Sequence, residues 1–200
     1  MSMGTRVVLA THNAGKRREW SMLLDGLDIE LVLPEELGIH DVVEETGMTY
    51  EENAVLKARE LARLTGLPAL ADDSGLEVDA LDGAPGVHSA RVRPGHDALR
   101  YLALLEALKD APDEARSARF RCWAALVLPD GRTFTAEGVC EGVIARSPTG
   151  EFGFGYDPVF HLLETGQTMA QLTPEVKNRV SHRARAAQAL WSTLEQVLGS

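Results

Sequence analysis

Apolar positions along the chain recur with two different periods, and the switches between them outline an α/β protein. Residues 6–10 (RVVLA) read as a short buried strand. The small and polar stretch Thr11, His12, Asn13, Ala14, Gly15, Lys16 follows, and then Trp20, Leu23, Leu24 and Leu27 recur at helical spacing. Residues 29–33 predict a second strand, closed by Pro34, and residues 43–47 a turn. Thr49 with Glu52 makes a capping box for a helix whose inner face carries Ala54, Ala58, Leu61, Ala62 and Thr65. Residues 68–71 predict a short apolar strand that ends in the turn-like sequence Asp72-Asp73-Ser74-Gly75, with another strand at 76–81. A helix over 97–108 would turn Ala98, Tyr101, Leu102, Leu105 and Leu108 to one side.

The middle of the chain changes to strict alternation. Phe120, Cys122, Ala124, Leu126 and Leu128 lead into a Pro-Asp-Gly turn, and strand-like composition resumes at 133–145, so a β-hairpin is predicted. A glycine-rich aromatic loop covers 150–158, followed by a strand near 159–162. Thr173-Pro174-Glu175 starts a helix with proline at its first position. Ala187, Leu190, Trp191, Leu194 and Leu198 form the face of a last helix. Parallel strands early and an antiparallel hairpin later give a mixed sheet.

Composition narrows the classes. The 200 residues are 44% hydrophobic and 25% charged, which is ordinary for a globular chain. The formal net charge of −10 disfavours a non-specific nucleic-acid binder. The longest apolar run, residues 122–128, is too short to span a bilayer, so no membrane partner is expected. The two cysteines lie in no CxxC pair, which argues against a zinc cage or disulfide framework. No basic and then apolar leader opens the chain, and a reduced cytoplasmic protein is expected.

Several loops could carry chemistry. Thr11, His12, Asn13, Ala14, Gly15 and Lys16 join a strand to a helix, where free backbone N–H groups and a lysine suit phosphate, although the sequence is no P-loop and a solvated helix start has the same composition. Glu44-Glu45 could serve a metal or simply a helix dipole. Asp72-Asp73 at a strand end suits Mg²⁺, or an Asx-type turn. Phe154, Gly155, Tyr156 and Asp157, together with Ser181-His182-Arg183, could stack on and read a base, or could fill core.

In this order, the segments VLATHNAGK (8–16), EETGMTYEENAVLKAR (44–59), ALADDSGLEVDAL (69–81), GAPGVHSAR (83–91), GFGYDPVF (153–160) and LTPEVKNRVSHRARA (172–186) resemble the inosine triphosphate pyrophosphatase family. Bacterial members are dITP/XTP pyrophosphatases. The resemblance implies an elongated central mixed β-sheet flanked by helices, with one catalytic domain over residues 1–200 whose two lobes surround a cleft. It implies Mg²⁺-dependent hydrolysis of a purine nucleoside triphosphate to monophosphate and pyrophosphate, and a homodimer. Thr11, His12, Asn13, Ala14, Gly15 and Lys16 would hold the triphosphate. Glu44 and Asp73 would serve the metal, with Asp73 the proton acceptor and Ser74 touching substrate. Phe154, Gly155, Tyr156, Asp157, Lys177, His182 and Arg183 would form the base pocket, and Lys57 would reach phosphate. An aspartate at its ordinary pKa is a weak base, for which acidification of the water by the metal would compensate, so activity is expected to improve at alkaline pH. A nucleotide sensor without hydrolysis would keep the base pocket without needing Asp73. A Maf-type pyrophosphatase would share the strand–loop–helix opening but not the Ser-His-Arg segment.

Overall fold

Residues 4–92 and 95–198 are described in a computed structural model. Seven strands form one mixed sheet in the order β2-β1-β3-β4-β5-β6-β7. They are β1 (Thr5–Leu9), β2 (Ile29–Val32), β3 (Ala69–Val78), β4 (Ser117–Val127), β5 (Thr133–Ile144), β6 (Phe160–Leu162) and β7 (Gln167–Thr168). β1 pairs in parallel with β2 and β3, and β6 pairs antiparallel with β5 and β7. The helices are α1 (Ala14–Leu23), α2 (Tyr50–Thr65), α3 (Asp97–Ala107), α4 (Pro174–Val180) and α5 (His182–Leu198). The chain divides into two compact units. The first comprises Met1–Asp73, Cys122–Gly138 and Arg183–Ser200, and the second Ser74–Arg121 and Val139–His182.

In the first unit the central strands are buried on both faces over residues 7–10, 69–73 and 124–127, and their alternation sorts side chains into two cores. Val7, Leu9, Leu70, Cys122, Ala124 and Leu126 meet Trp20 of α1 and Leu190 and Leu194 of α5. Val8, Ala10, Ala69, Ala71, Ala125 and Val127 meet Ala54, Ala58, Leu61 and Ala62 of α2. The predicted capping box is present, with Thr49 Oγ1 accepting from Glu52 N and Glu52 Oε2 accepting from Thr49 N, and Gly66 ends α2 in the left-handed conformation.

The second unit packs Leu76, Val78, Ala118, Phe120, Cys140, Phe160 and Leu162 against Leu104 and Leu108 of α3. Buried Arg116 donates to the carbonyls of Leu108, Ile144 and Ala145, and so fastens the end of α3 to β5.

Three expectations need correction. The Asp72-Asp73-Ser74-Gly75 segment is no turn at a strand end: β3 runs through it to Val78, because both flanks find strand partners. On α3, Leu104 faces the core and Leu102 is 51% exposed. On α5, Trp191 is only half-buried, and Ala186 joins Ala187, Leu190, Leu194 and Leu198 inward.

Candidate active site

The central fact of the first unit is that Asp72 and Asp73 are neighbours on one strand and therefore face opposite ways. Each is met by two side chains one helical turn apart. Lys16 and Trp20 of α1 reach Asp72, and Asn53 and Lys57 of α2 reach Asp73.

On the α1 side the Asp72 carboxylate is fully buried. Lys16 Nζ lies 2.9 Å from Oδ2, Trp20 Nε1 donates to Oδ1 at 3.0 Å, and Cys122 Sγ sits 3.7 Å from Oδ2. Arg183 donates to Oδ2 through both Nε (3.3 Å) and Nη2 (2.9 Å), and its Nη1 is bonded to Glu19. Burial alone would raise the Asp72 pKa, but Arg183, Lys16 and Lys57 outweigh it and hold the carboxyl well below the usual range. The same desolvation would lower Arg183, and Asp72 and Glu19 reverse it, so the guanidinium stays firmly charged.

Two readings of this region change. Lys16 is not a solvated, mobile charge, because Asp72 holds it through both its carboxylate and its carbonyl, the latter at 3.2 Å. Nor are the N–H groups at the start of α1 all open. Asn13 caps the helix and its Oδ1 accepts from Gly15 N (2.8 Å) and Lys16 N (3.1 Å). Thr11 Oγ1 takes the Asn13 N–H, while His12, Asn13 and Ala14 are exposed.

On the α2 side Asp73 is 6% exposed. Asn53 Nδ2 donates to its Oδ2 at 3.2 Å, while Asn53 Oδ1 accepts from Gly47 N at 2.8 Å. The backbone donor therefore fixes the amide with its N–H₂ toward the carboxylate. Gly47 is required for that approach, since a Cβ there would lie 2.7 Å from Asn53 Oδ1. Lys57 Nζ is 3.6 Å from Asp73 Oδ1, donates to the Asp72 carbonyl at 2.9 Å, and pairs with Glu45 Oε1 at 2.5 Å. Burial lowers the lysine pKa, and Asp73, Glu45 and Asp72 more than restore it. Burial raises the Asp73 pKa above its ordinary value, although Lys57 and Lys16 oppose the rise. Asp73 is thus not the unperturbed carboxylate expected from the sequence.

Glu44 is exposed, and it is Glu45 that reaches the Lys57 ammonium beside Asp73. Among the described residues no cluster of three or more His, Cys, Asp or Glu side chains could hold a metal by itself. Mg²⁺ is commonly held by one or two carboxylates plus substrate phosphates. The hard oxygens of Asp73, Glu45 and the Asp72 carbonyl, already gathered around a cationic group, fit that mode.

In the second unit, Lys177 and Asp157 form a buried ion pair, and the Lys177 ammonium lies 4.9 Å from the Phe154 ring centroid. Asp157 Oδ2 also accepts from Phe154 N at 2.8 Å. Gly153 has φ +77°, and a Cβ there would strike Asp157 Oδ2, so glycine is needed at this bend. Gly155 N donates to Asp97 Oδ2 at 2.5 Å. Tyr156 is core, with its hydroxyl on the Ser89 carbonyl at 3.0 Å, while Phe154 stays half-buried. His182 is buried and stacks on Phe120, with centroids 4.7 Å apart and planes at 13°. Ser74 is half-buried on β3. A cavity of about 510 Å³ in this unit is bordered by His96, Asp97, Tyr101, Phe152 and Phe154.

Sequence reasoning missed Glu19 and the anchoring role of Asp72. The signal for Glu19 was a lone acid beside Trp20, one turn after Lys16 on an inward helix face.

A family model described as the Ham1 family matches residues 7–193. A dITP/XTP pyrophosphatase of Geobacter sulfurreducens is 52% identical over 188 residues, covering 93% of this chain and 94% of that one. The dITP/XTP pyrophosphatase of Escherichia coli K12 is 47% identical over 194 residues, covering 94% and 98% respectively. Among solved structures, a HAM1 protein from Coxiella burnetii superposes with a TM-score of 0.86 at 45% identity, over 96% of this chain and 100% of that one.

Proposed function

The chain belongs to the Ham1 family, and from that premise we propose that it hydrolyses non-canonical purine nucleoside triphosphates (ITP, dITP and XTP) to monophosphate and pyrophosphate. The observation that carries the chemistry is Asp73: buried, raised in pKa, oriented by Asn53 and placed beside two lysines. Such a carboxylate orients a water and takes its proton as the water oxygen bonds to the α-phosphorus. The bond from that phosphorus to the α–β bridging oxygen breaks, and pyrophosphate leaves. Lys16 offsets the charge that builds on the leaving group. Asp73 and Glu45, with Glu44 beside them on the loop, would hold Mg²⁺. When bound, the ion would screen phosphate charge and acidify the attacking water.

Base recognition is assigned to the second unit. The half-buried Phe154 ring offers a stacking face, and the ammonium of Lys177, paired with Asp157, lies over that ring as a donor-only group, which suits a 6-keto oxygen and not a 6-amino group. His182 and the loop through Gly155 complete this assignment. The guanidinium of Arg183 leaves it: its side chain is 1% exposed and committed to Asp72 and Glu19. No helix among the described residues is long and apolar enough to cross a membrane. The homodimer rests on the family resemblance, and the cytoplasmic location on the cysteine usage of the sequence.

The direct test is incubation with ITP, XTP and ATP plus Mg²⁺, with the released phosphates resolved. Pyrophosphate should appear without orthophosphate, and kcat/KM should favour ITP and XTP over ATP by about 10²-fold or more, as unpaired buried donors dictate. Orthophosphate as first product, or equal turnover of ATP, would overturn the reading.

A second test addresses Lys16. Lys16→Ala should raise KM for ITP and lower kcat, with kcat/KM falling about 10–100-fold, the scale of a lost charge-assisted hydrogen bond. Binding of inosine monophosphate should change far less. Equal weakening of both ligands would show that Lys16 does not address the β- or γ-phosphate.

A further inference from the structure

The side chain of Lys57 lies where a divalent cation would be expected to lie. Its ammonium is 2.5 Å from Glu45 Oε1, 2.9 Å from the Asp72 carbonyl and 3.6 Å from Asp73 Oδ1. These are the hard oxygens assigned above to Mg²⁺. The arrangement is built rather than incidental. Lys57 is one turn from Asn53, so α2 delivers both to Asp73, and the 39–49 loop that carries Glu45 is fastened to α2 by Gly47 N–Asn53 Oδ1 (2.8 Å) and Met48 N–Glu52 Oε2 (2.7 Å).

We propose that Lys57 is an internal competitor of the divalent cation: its ammonium neutralises the oxygen cage of Asp73, Glu45 and the Asp72 carbonyl, and the metal enters readily only when nucleotide phosphates draw the lysine out. This rests on the assignment of the metal to Asp73 and Glu45. An ammonium and a divalent ion repel strongly at the few-ångström spacing that one cage enforces. Triphosphate supplies the missing negative charge and offers the displaced lysine oxygens of its own. The consequence is ordered loading, in which the protein binds the cation poorly alone and well as the metal–nucleotide complex. Lys57 then acts as a gate on metal occupancy as well as a contact for phosphate.

The test uses Mn²⁺ alone, with no nucleotide, its free concentration followed by electron paramagnetic resonance. Lys57→Met keeps the length of the side chain and removes the charge. It should bind Mn²⁺ about tenfold or more tighter than the wild type. Unchanged or weaker binding, or no binding by either protein, overturns the proposal. Adding Asp73→Asn to Lys57→Met should abolish the gain. If the gain survives, the cation is not on Asp73, and the metal assignment itself fails. If Asp73→Asn abolishes binding while Lys57→Met equals the wild type, the metal assignment stands and the competition is refuted. Should Lys57→Met not fold, the wild type still answers. With ¹⁵N-labelled lysine, the Nζ resonance assigned to Lys57 should move along the Mg²⁺ binding isotherm in the absence of nucleotide, and a resonance that stays fixed while Mg²⁺ binds overturns the proposal.

Discussion

Asp73→Asn is expected to lower kcat for ITP by about 10²-fold or more while leaving the fold intact. The amide is nearly isosteric with the carboxylate, and Asn53 Nδ2 still finds an oxygen to donate to. The amide cannot take a proton from water, so the loss falls on the chemical step. Stability should change little, because Lys57 keeps Glu45 and the Asp72 carbonyl as partners. Single-turnover rates with ITP would check the claim, and a kcat within a few fold of the wild type would remove Asp73 from proton transfer.

The second large effect is on stability. Arg183→Met should cost about 3–5 kcal/mol, because it leaves the buried charges of Asp72 and Glu19 without their shared cation. Urea unfolding would measure it. A loss below about 1 kcal/mol, with kcat/KM for ITP reduced selectively against ATP, would return Arg183 to base recognition. The pH dependence should change with it. Arg183 and Lys16 hold the Asp72 pKa below its unfolded value, so this carboxylate stabilises the protein at and above the ordinary carboxylate range. That stabilisation is lost only as pH falls through the lower, folded value. Removing the guanidinium takes away one of the cations that oppose burial and so raises the folded pKa. The acid-unfolding midpoint of Arg183→Met should therefore lie at higher pH than that of the wild type.

What the sequence made legible was local. The capping box of Thr49 and Glu52, proline at the start of α4 and the alternation in β4 each act over a few residues, and each element formed where its pattern lay. Of the residues that the family resemblance picks out, Lys57 and Asp73 lie together. The partners of those side chains were not legible. Lys16 and Asp72 are 56 residues apart and Asp72 and Arg183 are 111 apart, so only the assembled sheet brings them together. The extent of β3 was misread because Asp, Ser and Gly favour turns, and with the strand stopped at residue 71 nothing separated the two aspartates. Tyr156 shows the same limit in the second unit, where an aromatic ring expected at a base is buried with its hydroxyl on the Ser89 carbonyl.

The opposed directions of Asp72 and Asp73 make the register of β3 itself a functional variable. A strand that slips by one residue sends every side chain to the other face. Here such a slip would put the carboxylate proposed as proton acceptor into the Arg183–Lys16 cluster, where its basicity would fall, and would turn the anchoring carboxylate toward the α2 side. Composition, hydrophobicity and the identity of every residue would be unchanged, yet the site would be dead. Single-residue insertions or deletions near Asp72 are thus a different class of lesion from substitutions there. The pairing of Ala69 and Leu70 with Val8 and Leu9 of β1 is one of the contacts that hold this register.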